Sequence, residues 1–237
     1  PEADTGFLVK TRSCEAGPSV FADGCSFHKL VWLFFIGAFL GDITETIFGY
    51  ATARILMSRS SVVYGPFSVV WGLGVVVLTM MLHKYKDRDD RYIFLFGTVV
   101  GGAYEYICSV FTEIAFGTVF WDYSKLPFNL GGRINLLYCF FWGLAAVVWI
   151  KILYPRISAL IERVPVKTGK ILSWLMIVFM TVNIIISAMA LARYSDRQTG
   201  KEAANSIDYF LDDHFPDKRM EWIYPNAIVK DNSAMQP

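Results

Sequence analysis

The sequence predicts an all-α, polytopic membrane protein with about five transmembrane helices, a partly re-entrant or interfacial loop and a short C-terminal amphipathic cap. Apolar residues make up 54% of the 237 residues, and they fall in long blocks. Charged residues make up only 18%, against about 25% in soluble domains, and the mean hydropathy is +0.41. This composition excludes a disordered chain, a coiled coil and a disulfide scaffold. The net charge of +1, without a basic patch, argues against a nucleic-acid partner.

Five apolar blocks reach the length of about 20 residues that a helix needs to cross a bilayer. They cover residues 30–49, 62–82, 92–116, 134–153 and 171–192. The loop at 121–133, WDYSKLPFNLGGR, is aromatic, polar and rich in turn residues, so we expect it to dip into the membrane or lie along its surface. The blocks divide the chain into an N-terminal linker or remnant of a longer region (1–27), a transmembrane domain (28–193) and a soluble or interfacial tail (194–237).

The tail contains the run NSIDYFLDDHF at 205–215, whose apolar residues recur at helical spacing. We expect Ile207, Phe210, Leu211 and Phe215 to share one face of a helix. Because the tail is too short to form a core of its own, we expect it to cap the membrane domain.

Lysine and arginine are distributed unevenly between the loops. The loop at 84–91 carries four of them and the loop at 151–170 carries five, whereas the other two loops together carry four. Since cytoplasmic loops are enriched in lysine and arginine, this bias predicts that the N-terminus and the two basic loops face the cytoplasm. The first loop, the third loop and the tail then face outward.

Acidic residues interrupt two of the predicted spans. The first span carries Asp42 and Glu45, three residues apart and so on one helix face, and the third carries Glu105 and Glu113. Ionisable side chains inside a membrane are costly and usually mark a functional site. Glu105 also ends a series of small residues at steps of four, after Gly97 and Gly101, and such a series lets a neighbouring helix approach closely.

With this topology, the polar side chains converge on the outer half of the membrane. We expect them to line a polar cavity there; its predicted residues are Asp42, Glu45, Arg59, Tyr64, Glu105, Glu113, Asp122, Asn129, Arg133 and Asn135. Carboxylates can carry a proton, oxygen clusters can hold a hard divalent cation, and arginines can grip a phosphate or a carboxylate. The sequence does not show which of these three ligands, a proton, a divalent cation or an anionic group, the cavity would bind. If a metal binds, Glu45 and Glu105 are its expected ligands, and no other cofactor is evident.

Several sequence motifs of enzymes are missing. The chain has no GxxxxGK[ST], GxSxG or HExxH motif, and its three histidines are far apart, at positions 28, 83 and 214. We therefore expect that this chain does not hydrolyse ATP by itself and has no histidine-centred catalytic site; the missing motifs favour a protein that is not an enzyme but leave the question open. The four cysteines, at 14, 25, 108 and 139, lack metal-ligand spacing and are interpreted as structural thiols, although Cys14 and Cys25 could pair in an oxidising compartment.

Four stretches resemble a known bacterial family. They are GAFLGDITETIFG at 37–49, RSSVVYGPFSVVWGLG at 59–74, GGAYEYICSVFTEIAFGTVFWDYSKLPFNLGGRINLLYCFFWG at 101–143, and FPDKRMEWIYPN at 215–226. Together they resemble the "Putative ABC-transporter type IV" family of CmpB-like permeases over roughly residues 28–226. The resemblance implies a permease subunit of the bacterial cytoplasmic membrane that works with a separate ATPase. A homo-oligomer is also open, since the sequence does not indicate the oligomeric state.

By motif position, the same resemblance implies a set of site residues, namely Glu45, Arg59, Tyr64, Glu105, Glu113, Trp121, Asp122, Asn129 and Arg133. The chain departs from the family pattern at Asp42, where many members carry tryptophan. The leading hypothesis is thus a permease-like protein that binds or moves a small solute or cation. The alternatives are a membrane enzyme acting on a lipid-linked or phosphorylated substrate and a non-catalytic scaffold subunit.

Overall fold

The computed structural model describes residues 20–54, 58–116, 118–225 and 228–229. Its helices are α1 (Phe27–Ala53), α2 (Val69–Leu82), α3 (Asp90–Phe116), α4 (Leu136–Val148), α5 (Tyr154–Glu162), α6 (Val166–Gln198), α7 (Ser206–His214) and α8 (Asp217–Ile223). Its short strands are β1 (Thr118–Val119), β2 (Asn129–Leu130), β3 (Ile134–Asn135) and β4 (Ile228–Val229). Strand β1 pairs antiparallel with β4, and β2 pairs antiparallel with β3. The predicted all-α class is confirmed, since the strands hold only two residues each.

Four helical stretches are long and apolar enough to cross a membrane, namely Phe27–Thr52, Asp90–Ala115, Leu136–Glu162 and Val166–Gln198. A fifth, shorter apolar helix covers Val69–Tyr85. The five predicted blocks therefore all contain an apolar helix, but two of the predicted boundaries are wrong.

The first correction concerns the second block, which was expected to be helical from Val62. The helix α2 begins only at Val69, and residues 58–68 form an irregular, bent segment that we call the α1–α2 segment. Its backbone is paired with side chains of α6: Asn183 accepts from Tyr64 N–H at 3.2 Å and donates to the Tyr64 carbonyl at 2.7 Å, and Ser187 Oγ accepts from Val63 N–H at 2.9 Å. Irregular backbone among membrane helices requires such internal partners.

The second correction concerns residues 154–162, which were expected to lie in a cytoplasmic loop. They form α5, which continues α4 through a π-helical turn at Trp149–Leu153. Pro155 occupies the first turn of α5, where a missing N–H costs no hydrogen bond.

Small residues bring the helices together in two antiparallel pairs. A Cβ added at Gly41 in α1 would lie 2.2 Å from Trp71 Cβ in α2. One added at Gly101 in α3 would lie 2.3 Å from Trp142 Cβ in α4. Contacts this close leave no room for a side chain, so the predicted close approach along the Gly97–Gly101 stripe is confirmed.

The end of the bundle that carries the basic loops is closed by an apolar core and a buried lysine. The core includes Leu33, Leu82, Ile93, Ile150 and Ile161, all fully or nearly fully buried. Lys29, in the first turn of α1, is also fully buried and donates to Ser158 Oγ at 2.5 Å and Glu162 Oε1 at 2.6 Å. This ion pair fixes α5 against α1, and it was not expected from the sequence.

At the opposite end, α7 and α8 form the expected cap. Leu211 and Phe215 pack with Val63 of the α1–α2 segment and with Leu191 of α6. Tyr224 donates a hydrogen bond to the Ser61 carbonyl at 3.1 Å, and burial raises the pKa of Tyr224 to about 12. The cap thus holds the α1–α2 segment against α6.

The predicted common face of the cap helix is only partly correct. Leu211 and Phe215 are buried as expected, but Ile207 and Phe210 are exposed. They lie on the flank of α7 that turns away from α6, because the packing of Leu211 sets the rotation of this short helix.

An arginine–aspartate clasp joins the cap to α6. Arg193 donates to both carboxylate oxygens of Asp212, at 2.9 and 2.8 Å, and these bonds hold the pKa of Asp212 below its usual range. A lowered folded pKa stabilises the attachment above the ordinary value of about 3.9, and the stabilisation is lost as the pH falls through the lowered pKa.

We therefore expect amide hydrogen exchange in α7 and α8, corrected for its intrinsic rate, to accelerate when the pH falls below the pKa of Asp212. In Asp212→Asn the exchange should be fast already at neutral pH. Asp213→Asn is the matched control, because Asp213 is exposed and makes no contact with Arg193 among the described bonds. Slow exchange in Asp212→Asn at neutral pH would contradict the clasp.

The predicted N-terminal linker lies largely outside the described residues, as does Cys14, so the proposed pairing of Cys14 with Cys25 has no structural account. Cys108 and Cys139 are free thiols within α3 and α4, and Cys139 is buried. Their positions agree with the interpretation of these two as packing residues.

Candidate functional site

Two of the predicted carboxylates are held by indole N–H groups. Trp71 of α2 donates from Nε1 to Glu45 Oε2 at 3.0 Å, and Trp142 of α4 donates from Nε1 to Glu105 Oε2 at 3.1 Å. The two indoles stack on each other, with ring centroids 5.3 Å apart and an interplanar angle of 29°. Glu45 and Glu105 are therefore linked across α1, α2, α4 and α3 by a stacked pair of tryptophans.

The two carboxylates differ in their surroundings. Glu105 is buried and also accepts a hydrogen bond from Tyr123 Oη at 2.8 Å. Glu45 keeps 39% of its side chain exposed, and its nearest cation is Arg59, 3.9 Å away. The arrangement thus joins a deep carboxylate to a more accessible one.

Two more polar atoms near Glu45 are buried without a hydrogen-bond partner in the described part of the chain, Asp42 Oδ1 and Arg59 Nε. Asp42 is only 6% exposed, and it is close enough to Glu45 for their charges to interact. Ser68 N–H donates to the Ala38 carbonyl, which points along α1 toward residue 42. The short helix α2 therefore begins at the level of Asp42.

Arg133 connects the long loop to α3. It forms an ion pair with Glu113 and donates to Ser109 Oγ at 3.1 Å, while its guanidinium lies 6.0 Å from the Tyr106 ring centroid. Glu105, Ser109 and Glu113 continue the four-residue spacing that starts at Gly97. One ridge of α3 therefore packs against α4 in its first part and against the loop in its second.

The remaining loop residues mainly shape the loop itself. Asp122 accepts from Ser124 N–H at 2.8 Å, and Asn129 accepts from Gly132 N–H at 3.0 Å. Asn135 caps α4 by accepting from Leu137 N–H at 2.9 Å, and Trp121 Nε1 donates to the Arg133 carbonyl at 3.0 Å. These bonds turn the loop back along α3.

The fold of the loop brings Tyr123 to Glu105. Glu105 precedes the last residue of α3, Phe116, by 11 residues, which is about 16 Å along the helix. The loop therefore reaches well below the end of α3, in agreement with the predicted re-entrant or interfacial segment.

Tyr64 lies away from the carboxylates. Its ring is 6.1 Å from the Phe215 ring of the cap, and Arg219 lies 5.9 Å from its ring centroid. Among the predicted site residues, the structure thus brings Asp42, Glu45 and Arg59 together, links Glu105 to Glu45 through the indoles, and places Tyr64 beside the cap.

Trp71, Trp142 and Tyr123 were not expected to be partners of the carboxylates. Trp71 and Trp142 lie within predicted apolar blocks, and Tyr123 lies in the aromatic loop at 121–133. A useful signal was present, because an indole N–H or a phenol hydroxyl that is removed from water needs an acceptor, and few acceptors exist in such blocks. Within the described ranges, no group of three or more His, Cys, Asp and Glu side chains could hold a metal ion.

The sequence profile of the family described as "Putative ABC-transporter type IV" matches residues 32–188. The chain belongs to this family. The match to the CmpB-like family extends from α1 into α6 and includes every predicted site residue, whereas the cap lies outside it. No curated protein and no solved structure matches the chain.

Family membership and the apolar helices together identify a multi-pass membrane protein of a transporter-type family. The expected family is confirmed, and with it the lipid bilayer as the surroundings of the helices. The orientation of the CmpB-like chain in the membrane stays a prediction from its lysine and arginine distribution.

Proposed function

We propose that this chain is the membrane-embedded permease subunit of a transporter and that Glu45 and Glu105 bind a cation, either a proton or a small cationic solute. The observation that supports this most is the pair of carboxylates joined by stacked tryptophans. Charged carboxylates are costly in a low-dielectric interior unless they are paired or protonated. Asp42 lies nearby, and the described part of the chain places one loose counter-ion, Arg59, beside Glu45; a bound cation would balance the remaining charge.

The break before α2 supports the same proposal. Transporters commonly bind their substrates where a membrane helix is discontinuous. Here α2 starts at the level of Asp42, and the α1–α2 segment carries Arg59 beside the second half of α1. The exposed part of Glu45 would provide the access route from the membrane surface that carries the cap, which the basic loops assign to the outside.

We place the separate ATPase subunit on the basic loops at the opposite end. A shallow depression of about 440 Å³ lies there, lined by Lys86, Asp87, Ile150, Lys151 and Pro155. It lies beside the π-helical turn, a feature often found at functional sites.

The proposal predicts that Glu105→Gln remains folded but no longer binds the cation. We would reconstitute the protein in lipid nanodiscs and follow tryptophan emission while lowering the pH or adding methylammonium chloride, since Trp71 and Trp142 donate directly to the two carboxylates. The wild type should show a saturable change, and Glu105→Gln should lose it. Glu45→Gln, at the more accessible carboxylate, is the second variant in case Glu105→Gln unfolds.

The matched control is Glu221→Gln, which neutralises an exposed carboxylate of the cap and should respond like the wild type. Thermal unfolding of each variant establishes that it is folded. An unchanged response in folded Glu105→Gln would show that the site is assigned wrongly.

Native mass spectrometry of the protein extracted with its surrounding lipids tests the partner and the alternatives. A co-extracted ATPase subunit would support the permease proposal. A retained phosphorylated lipid together with a metal would instead support the membrane enzyme, and a bare protein in both wild type and Glu105→Gln would support the scaffold.

A further inference from the structure

The depth of the cap in the membrane can be inferred from its attachment to α6. The apolar stretch of α6 ends at Ala192, and the next residue, Arg193, already holds Asp212 of α7. One turn further on, Arg197 contacts Asp212 at 2.5 Å and Asp217 of α8 at 2.6 Å. The cap is therefore fixed within about one turn of the end of the apolar stretch, the depth of the lipid headgroups.

The surface of the cap that faces away from α6 is unusually apolar for a protein surface exposed to water. Ile207 is 54%, Phe210 is 52% and Trp222 is 70% exposed, whereas Leu211 is 4% exposed. Ile207 and Phe210 lie about 60° apart around α7, and the highly exposed Asp213 lies about 60° beyond Phe210 and about 120° from Ile207, at the polar edge of this flank. Leaving such side chains in water forgoes the gain from apolar burial.

We propose that the cap is an interfacial element and that Ile207, Phe210 and Trp222 insert into the boundary between lipid headgroups and acyl chains. Aromatic side chains favour this zone, and short amphipathic helices lie in it with their apolar flank toward the chains. The opposite flank of α7 is fixed to α6, because Leu211 belongs to the same buried apolar cluster as Ala190 and Leu191.

The charge of the cap indicates that apolar contacts, rather than electrostatic ones, draw it to the membrane. Residues 206–223 contain five Asp or Glu and two Lys or Arg, and Asp212 and Asp217 are paired with Arg193 and Arg197 of α6. The cap therefore has no excess of positive charge with which to attract anionic lipids. Raising the fraction of anionic lipid should therefore not draw the cap more deeply into the membrane. This inference concerns the cap alone and does not depend on the proposed cation site.

Nitroxide labels on the full-length chain in lipid nanodiscs test the proposal. Single cysteines would replace Phe210, Trp222 or, as the control, Asp213, with the four native cysteines changed to alanine. Accessibility to oxygen, which concentrates in the acyl region, is compared with accessibility to a water-soluble nickel chelate. We expect oxygen to be favoured severalfold at positions 210 and 222 and the nickel chelate to be favoured at position 213.

Two results would overturn the proposal. Nickel accessibility at positions 210 and 222 equal to that at position 213 would place the apolar flank in water. Low accessibility to both reagents would show that protein, such as a second copy of the chain, covers the flank. Should a labelled variant fail to fold, quenching by brominated lipid gives the same answer from unlabelled protein, as the difference between the wild type and Trp222→Phe.

Discussion

Replacing Gly101 with leucine is expected to lower the free energy of unfolding by about 3 kcal/mol, near the upper end for overpacking. A Cβ at this position would lie 2.3 Å from Trp142 Cβ. Because that atom is bonded directly to the backbone of α4, it cannot rotate away, and the two helices must separate. Trp142 also donates to Glu105 and stacks on Trp71, so the same change should disturb the candidate site.

The measurements for Gly101→Leu are thermal unfolding in detergent and the tryptophan response to pH described above. Val99→Phe is the matched control, since it adds bulk on the exposed side of the same helix, where lipid can yield. If Gly101→Leu were as stable as this control, the close α3–α4 contact would be wrong.

Replacing Asn183 with leucine is expected to release the α1–α2 segment from α6 and to cost about 2 kcal/mol, because buried backbone groups lose their partners. The amide of Asn183 pairs with both the N–H and the carbonyl of Tyr64. Leucine is similar in size but offers neither a donor nor an acceptor. Since the segment also carries Arg59, we expect the loose Arg59–Glu45 contact to be lost as well.

Hydrogen exchange of residues 58–68, together with thermal unfolding, checks this expectation. Exchange in the segment should accelerate in Asn183→Leu, while exchange in α3 and α4 should stay slow. The control is Val182→Leu, a lipid-facing change one residue earlier in α6. Equal protection of the segment in Asn183→Leu and in this control would refute its anchoring role.

The α1–α2 segment shows why the boundaries of the second predicted span were wrong. Residues 62–68, VVYGPFS, are largely apolar and lead directly into the apolar residues of α2. Gly65 and Pro66 break the helix there, since Gly65 has a positive φ and Pro66 lacks an N–H. The irregular backbone is accommodated because Asn183 and Ser187, more than 115 residues away in sequence, satisfy its backbone groups. Hydropathy measures how apolar a segment is, not where its backbone groups find partners.

The candidate site also has features that the sequence predicts and features that it does not. The positions of Asp42, Glu45 and Glu105 could be identified from the sequence, because a carboxylate inside an apolar block is unusual in itself. Their partners could not, because tryptophan and tyrosine are common in such blocks. Only the packing of α2 on α1 and of α4 on α3 shows which indole meets which carboxylate.

The sequence by itself determined the features that depend on local periodicity: the class of the fold, the apolar helices, the small-residue stripe of α3 and the carboxylates within the membrane. The tertiary structure alone decided where the backbone of the α1–α2 segment finds its partners, the continuation of α4 into α5, the stacked indoles between Glu45 and Glu105, and which flank of α7 is exposed. The physical reason is distance along the chain. Apart from the π-helical turn between α4 and α5, each feature that the tertiary structure decided depends on contacts between residues far apart in sequence. A hydrophobic period of 3.6 residues shows which face of a helix is apolar, but it does not show which neighbouring helix that face contacts.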